Sequence, residues 1–277
     1  MTTDVTQHAQ SGTVEANGHE LYYELHGQGP PLVLVMGIGY DSSLWTLAQV
    51  PALSTHFQVV LVDNRDAGRS SKATHPYTIA DMADDLAGLL DGLVIQRSHL
   101  LGLSMGGMIA VEFALRHPGR LDRLVLTGTG AAPARSAVDP IQIWSWVKAN
   151  DPTGEVFGGQ QFAYLFSTAF LRNHQAVRDT AELLASNPYP VSPEAYGRQA
   201  DAYRHFDALD RLATITAQTL VVVGEQDLLT PPWVVREVAE AIPGAQFEVI
   251  RGHGSSHLVP IERPDDFNQI VVNFLSR

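Results

Sequence analysis

The stretch SHLLGLSMGGMIAVEFALRHPG, residues 98–119, changes period in its middle. Up to Leu103 it is a short apolar run of strand length. From Met105 the apolar residues continue for the length of a helix, until Pro118 and Gly119 stop it. At the junction stands Gly102-Leu103-Ser104-Met105-Gly106, a G-x-S-x-G pattern. A serine placed there must turn sharply, which lifts its hydroxyl clear of the sheet edge. Glycines two residues to either side remove side chains that would collide with the turn. The helix N-terminus behind it presents free N–H groups and a positive dipole end. A dinucleotide phosphate cradle would need G-x-G-x-x-G after the first strand and an acid downstream, and this spacing does not comply.

The same rhythm extends outward from that junction. PLVLVMG (31–37) and FQVVLVD (57–63) read as buried strands, separated by an amphipathic stretch from Leu44 to Leu53. A polar turn, NRDAGRSS, leads to a helix opened by a Thr78–Asp81 capping box. Its Ile79, Met82, Ala83, Leu86, Leu89 and Leu90 recur at helical spacing, with Gly92 as the expected stop. LDRLVLTGT (121–129), QTLVVVGEQD (218–227) and AQFEVIRG (245–252) supply further strands, and a last helix carries Phe267, Ile270, Val271 and Phe274 on one stripe. Near-continuous apolar strands alternating with helices predict an α/β chain with a parallel sheet covered on both faces. The interval 133–214 breaks the rhythm: it has helical fragments, no convincing buried strand and half of the chain's aromatic residues. We read it as a helical cap inserted into a core formed by 1–132 and 215–277. Most of its rings would be the insertion's own core, and a minority would face a cavity.

Composition narrows the function. The chain has 277 residues, 45% hydrophobic and 17% charged, ample for a buried core. A net charge of −12 argues against nucleic acid or an anionic membrane as partner. With no cysteine, disulfides, thiolate catalysis and Cys-based metal centres are excluded. The first twenty residues lack the basic start and apolar core of a signal peptide, and no apolar run is long enough to span a bilayer, so a cytoplasmic protein is expected. Nothing in the chain asks for a cofactor or dictates an oligomeric state.

A nucleophilic serine needs a base, and the base an orienting acid. Asp227 follows one strand, and the next strand precedes both His253 and His257. Serine, aspartate and histidine in that order, each beyond the C-terminal end of a strand, fit chemistry gathered at one sheet edge. Glu225, two residues before Asp227, is its rival as the orienting acid, and Asp227 is preferred. The pair His253-x-x-x-His257 also has the spacing of a metal site. Gly254 weakens helical geometry, however, and no glutamate lies between the histidines, so no metal is expected.

Over nearly its full length the chain resembles the α/β-hydrolase superfamily. The serine turn, DNRDAGRSS and GHGSSHLVPIERP resemble in particular the cluster of 3-oxoadipate enol-lactonases and polyketide methyl esterases. The resemblance implies the α/β-hydrolase fold: a mostly parallel eight-stranded sheet, helices on both faces and a helical cap after the sixth strand. It singles out His257, which is followed by x-x-P-x-E-x-P as such relatives are (Pro260, Glu262, Pro264), whereas His253 has no such continuation. His253 lies close to the strand end between two glycines and stays within plausible reach of the site. It also implies oxyanion donors at the backbone N–H groups of Ile38 and Met105. Two departures stand out. Met36-Gly37-Ile38-Gly39 replaces the His-Gly that usually opens the oxyanion loop, and Asp66 replaces a frequent glycine in a turn to which we assign a structural role. Expected from this is a serine hydrolase acting on an ester or lactone of an apolar or aromatic small molecule. Carbon–carbon bond hydrolases and cofactor-free perhydrolases share the triad, and a non-hydrolytic ligand-binding or cyclising protein would use the same pocket.

Overall fold

The computed structural model describes residues 10–132 and 139–277. The expected start of the insertion at Pro133 and the N-terminal segment 1–9 lie outside the described residues.

Eight strands form one sheet. They are β1 (Gln10–Ala16), β2 (His19–His26), β3 (Pro31–Val35), β4 (Gln58–Val62), β5 (Ser98–Leu103), β6 (Leu121–Thr127), β7 (Gln218–Gly224) and β8 (Gln246–Ile250). Their spatial order is β1-β2-β4-β3-β5-β6-β7-β8. β1, β2 and β4 pair antiparallel, and every other pairing is parallel. Every residue of β5 is buried, as are four of five in β3 and six of seven in β7, so both faces of the sheet centre are covered. That is why these strands read as unbroken apolar runs rather than as alternation.

The N-terminal hairpin is not among the six strands picked out by the apolar runs. Along β1 exposed and half-buried positions mostly alternate, and in β2 only Leu21 and Tyr23 are buried, so no continuous apolar run forms. A signal was nevertheless present in Asn17-Gly18. Ala16 pairs with His19 across a two-residue turn, and Asn17 and Gly18 have φ of 50° and 76°. Two consecutive positive φ values define the tight turn for which Asn-Gly is preferred.

The helices follow the strands. A 3₁₀ turn (Ser42–Leu47) and α1 (Gln49–Leu53) occupy the stretch read as amphipathic. α2 (Ile79–Gly92) opens with the expected capping box, in which Thr78 and Asp81 each bond the other's backbone N–H. It packs against β1 and against α3 (Met105–Arg116). Gly92 is the last helical residue rather than the stop beyond it, and the left-handed turn falls on Val94 with φ 59°. What Gly92 supplies is clearance, since a Cβ there would meet Val14 Cγ1 at 2.3 Å. Between β6 and β7 the chain runs through α4 (Pro140–Asn150), α5 (Glu155–Leu165), α6 (Thr168–Leu171), α7 (His174–Ala185) and α8 (Pro193–Arg204). α9 (Pro232–Ala241) packs on β7 and β8, and α10 (Val259–Glu262) and α11 (Pro264–Leu275) close the chain. Among the described residues no helix is long and apolar enough to cross a membrane.

Candidate active site

The sheet's topology sets the site. The chain leaves β3 toward β4 and returns on the other side of β3 as β5, so the loops after β3 and β5 diverge and leave a crevice. Ser104 stands at the end of β5, between strand and helix, with φ 57° and ψ −121°. That backbone is one few non-glycine residues adopt, and it persists because its surroundings fix it. Ser104 N–H donates to Thr127 O at 3.0 Å, while Ser104 O accepts from Gly107 N and Thr129 Oγ1. The glycines expected on steric grounds are required. A Cβ on Gly102 would lie 2.3 Å from Gly106 O, and one on Gly106 would lie 2.2 Å from Val35 O. The Ser104 hydroxyl makes no capping bond to α3 and opens on a slot of about 360 Å³, counted out to its mouth.

Asp227 and His257 arrive from the ends of β7 and β8. Gly224 lets these ends close, because a Cβ there would lie 2.2 Å from Ser255 O. Both side chains are buried, and His257 Nδ1 lies 2.9 Å from Asp227 Oδ2. The other carboxylate oxygen accepts from the N–H groups of Leu229 and Thr230, and Thr230 Oγ1 donates to Asp227 Oδ2 at 2.8 Å. Paired with a carboxylate oxygen, His257 Nδ1 is the donor of that bond, which leaves Nε2 as the acceptor. His257 and Ser104 line the same slot. His253 is exposed; glycines with φ of 87° and 76° flank it, and its carbonyl accepts from Arg263. Glu225 likewise points away, to Arg251 and Gly252 N.

The loop holding His257 is anchored by the residues that follow it. Glu262 accepts from Ser167 N–H and Oγ and from Ser256 Oγ. Leu258 N–H donates to Leu165 O, and Pro260 O accepts from Gln49. Pro260 and Glu262 thus tie the histidine loop to α1 and to the segment joining α5 and α6.

The remaining slot walls are largely apolar: Met36, Gly37, Ile38 and Leu44 after β3, Leu103, Leu229 and Leu258, and Trp144 of α4 and Leu165 of α5. Of the eleven aromatic residues within 133–214, Trp144 alone lines the slot. Tyr40 and Gln161 add polar groups there, bonded to one another at 3.0 Å, and burial pushes the Tyr40 phenol well above its ordinary value. Neither Ile38 N–H nor Met105 N–H donates a hydrogen bond to any described residue. Among the described residues, no three His, Asp or Glu side chains gather as a metal ion would need. Thr230, Gln161 and Tyr40 carry no signal in the sequence beyond Thr230's place three residues after an aspartate, a common turn pattern.

A family model described as alpha/beta hydrolase fold matches residues 30–264. The chain belongs to the α/β-hydrolase family. A hydrolytic activity is thereby supported. Among curated relatives of this hydrolase, the "Putative carbamate hydrolase RutD" of Caulobacter sp. (strain K31) is 33% identical, covering 96% of this chain and 98% of its own. The solved enol-lactonase from Burkholderia xenovorans LB400 superposes with a TM-score of 0.84 at 32% identity, covering 96% of this chain and 100% of that one. A thermophilic esterase from Thermogutta terrifontis, malate bound, gives 0.84 at 30% identity, covering 97% and 98%.

Proposed function

We propose that the protein hydrolyses a carboxylic ester or lactone of an apolar or aromatic small molecule, through an acyl-enzyme on Ser104. The observation that carries this reading is the shared slot. A serine hydroxyl free of the helix cap faces the same cavity as a buried histidine whose Nδ1 is held by a carboxylate. In the first half-reaction Nε2 of His257 takes the proton of Ser104 Oγ as the oxygen attacks the carbonyl carbon. Asp227 stabilises the resulting imidazolium, and the N–H groups of Ile38 and Met105 receive the developing oxyanion. The carbonyl–oxygen bond breaks, and the leaving alkoxide takes the proton back from His257. Water, activated by the same base, then releases the acid and restores Ser104. The insertion 133–214 serves as the cap, contributing Trp144 and Leu165 to an apolar wall that suits a hydrocarbon or ring rather than a charged group.

A second reading, carbamate hydrolysis, is supported by full-length similarity to proteins bearing that name. It needs the same attack on a carbonyl carbon and differs in that this carbon carries a nitrogen, so the intermediate is a carbamoyl-enzyme. Relative kcat/KM for aryl esters, lactones and small carbamates separates the two; a preference for the carbamate would replace the ester reading.

The decisive test is intact-mass analysis after a fluorophosphonate probe. Wild type and His253→Ala are expected to gain one adduct, and Ser104→Ala and His257→Ala none. Ester turnover by Ser104→Ala should fall by roughly 10⁶-fold. Labelling that survives in Ser104→Ala, or is lost in His253→Ala, would overturn the assignment.

A further inference from the structure

The loop after β3 is built unusually for its task. Two of the four residues Met36-Gly37-Ile38-Gly39 are glycines, which are conformationally permissive. Yet the loop is held at both ends by buried side-chain amides. From the core, Asn64 Nδ2 donates to Met36 O at 2.9 Å. From α8, Gln199 Oε1 accepts the N–H of Gly39 at 2.9 Å. Gln199 is fully buried, and its other end donates from Nε2 to Arg65 O at 3.1 Å. Nearby, the Tyr196 ring lies against Gly39, whose φ is +78°; a Cβ there would come within 2.6 Å of the ring. Between the two held points lies Ile38, lining the slot, with an N–H that no described residue accepts.

We infer that Gln199 is a positioning residue, which aims the Ile38 N–H at the oxygen of the attacked carbonyl by fixing Gly39. The role given to Ile38 rests on the ester-hydrolase reading; the clamp itself rests on the two bonds of the Gln199 amide. The chemistry of the side chain fits the task. One end must accept from an amide N–H and the other must donate to a carbonyl, and both must be neutral to stay buried without a counter-charge. Glutamate can make the first bond but not the second, and alanine makes neither. A side chain from the insertion thereby holds the loop that usually begins with His-Gly and here begins with Met36.

The test compares wild type, Gln199→Ala and Gln199→Glu in hydrolysis of p-nitrophenyl acetate and in inhibition by an aryl trifluoromethyl ketone, which forms a tetrahedral oxyanion on the serine. Misplacing one oxyanion donor predicts that Gln199→Ala loses about 100-fold in kcat, with KM within about twofold and the inhibition constant raised by about the same 100-fold. Gln199→Glu keeps the acceptor for Gly39 but buries an unpaired charge against the Arg65 carbonyl, so it should recover no further than Gln199→Ala on either readout, and recovery to wild-type values would overturn the need for a neutral amide. A Gln199→Ala enzyme whose kcat and inhibition constant match wild type overturns the inference, as does a loss confined to KM. Ser104→Ala is run alongside. If it hydrolyses the ester as wild type does, the ester-hydrolase reading has failed, and amide exchange decides the clamp. Faster exchange of the Gly39 N–H in Gln199→Ala supports the clamp, and unchanged exchange overturns it.

Discussion

Alanine at position 106 would carry a methyl carbon to 2.2 Å from the carbonyl oxygen of Val35, a backbone atom in the middle of the sheet. Neither partner can swing aside, so Gly106→Ala should cost about 3 kcal/mol, at the upper end of overpacking effects. Gly119 is the control, because a Cβ there meets nothing within 4 Å and its φ is not positive. Gly119→Ala should stay within about 0.5 kcal/mol of wild type. Urea midpoints of the two variants check the pair; equal midpoints would show that the strand-to-helix turn tolerates what its geometry forbids. This contrast was legible in the letters, since G-x-S-x-G marks position 106 and a Pro-Gly stop marks 119. Gln199 was not legible. A glutamine on a polar helix reads as a solvent-facing residue, and nothing local indicates that both ends of its amide are buried 160 residues from Gly39.

At the scale of elements, the turn between β4 and α2 joins the core to α8. Asp66, fully buried at φ 69°, accepts both guanidinium bonds of Arg198 at 2.8 Å, the Tyr77 hydroxyl and the Ala73 N–H. Asp66→Ala leaves the buried Tyr77 hydroxyl and Ala73 N–H without their acceptor, while Arg198 can still reach water, and should destabilise by about 2–3 kcal/mol. Asp66→Gly loses the same bonds but relieves the left-handed backbone, so it should be less damaging by about 1 kcal/mol. Thermal melts of both variants test the order; alanine at least as stable as glycine would contradict it. The sequence placed this turn between the strand and α2, but the departure from glycine gave no hint of its partner. That partner lies 132 residues away, on a helix whose register was not readable. By contrast, the Thr78–Asp81 box was readable because a helix cap is completed within four residues.

For the whole molecule, which carries 30 Asp and Glu against 18 Lys and Arg, stability in acid depends on the carboxylates that are paired in the fold. Asp84 is held below its ordinary value of 3.8 by Arg116, with His117 adding to the effect. Glu24 is also lowered: burial acts to raise it, but hydrogen bonds from His26 and Arg69 outweigh that. Both bind protons less readily folded than unfolded. Their stabilisation is therefore complete above their ordinary values near 3.8 and 4.5 and is lost as pH falls through the lower folded values. Removing Asp84 as Asp84→Asn should cost no more than about 1 kcal/mol at pH 7, because water and salt screen a pair this exposed. The deficit should shrink toward zero as the acid limb is descended. Urea midpoints measured from pH 7 to pH 2.5 test this, and a deficit that grows in acid would reverse the assigned sign. At this scale the fold was largely legible, because a sheet buried on both faces writes its strands as apolar runs. The edge hairpin, half in water, writes no such run.

The grip of α8 on the loops at 36–40 and 64–69 bears on exchangeability. An inserted segment invites transplantation: cut at its two ends, replaced by a relative's, and judged by what it then accepts. Here such a graft would arrive without Gln199 and Arg198 facing the host's Gly39 and Asp66. The unit that can be traded is discontinuous in the chain. It comprises the insertion together with those two core loops, and a chimera that moves only the first should inherit neither parent's competence.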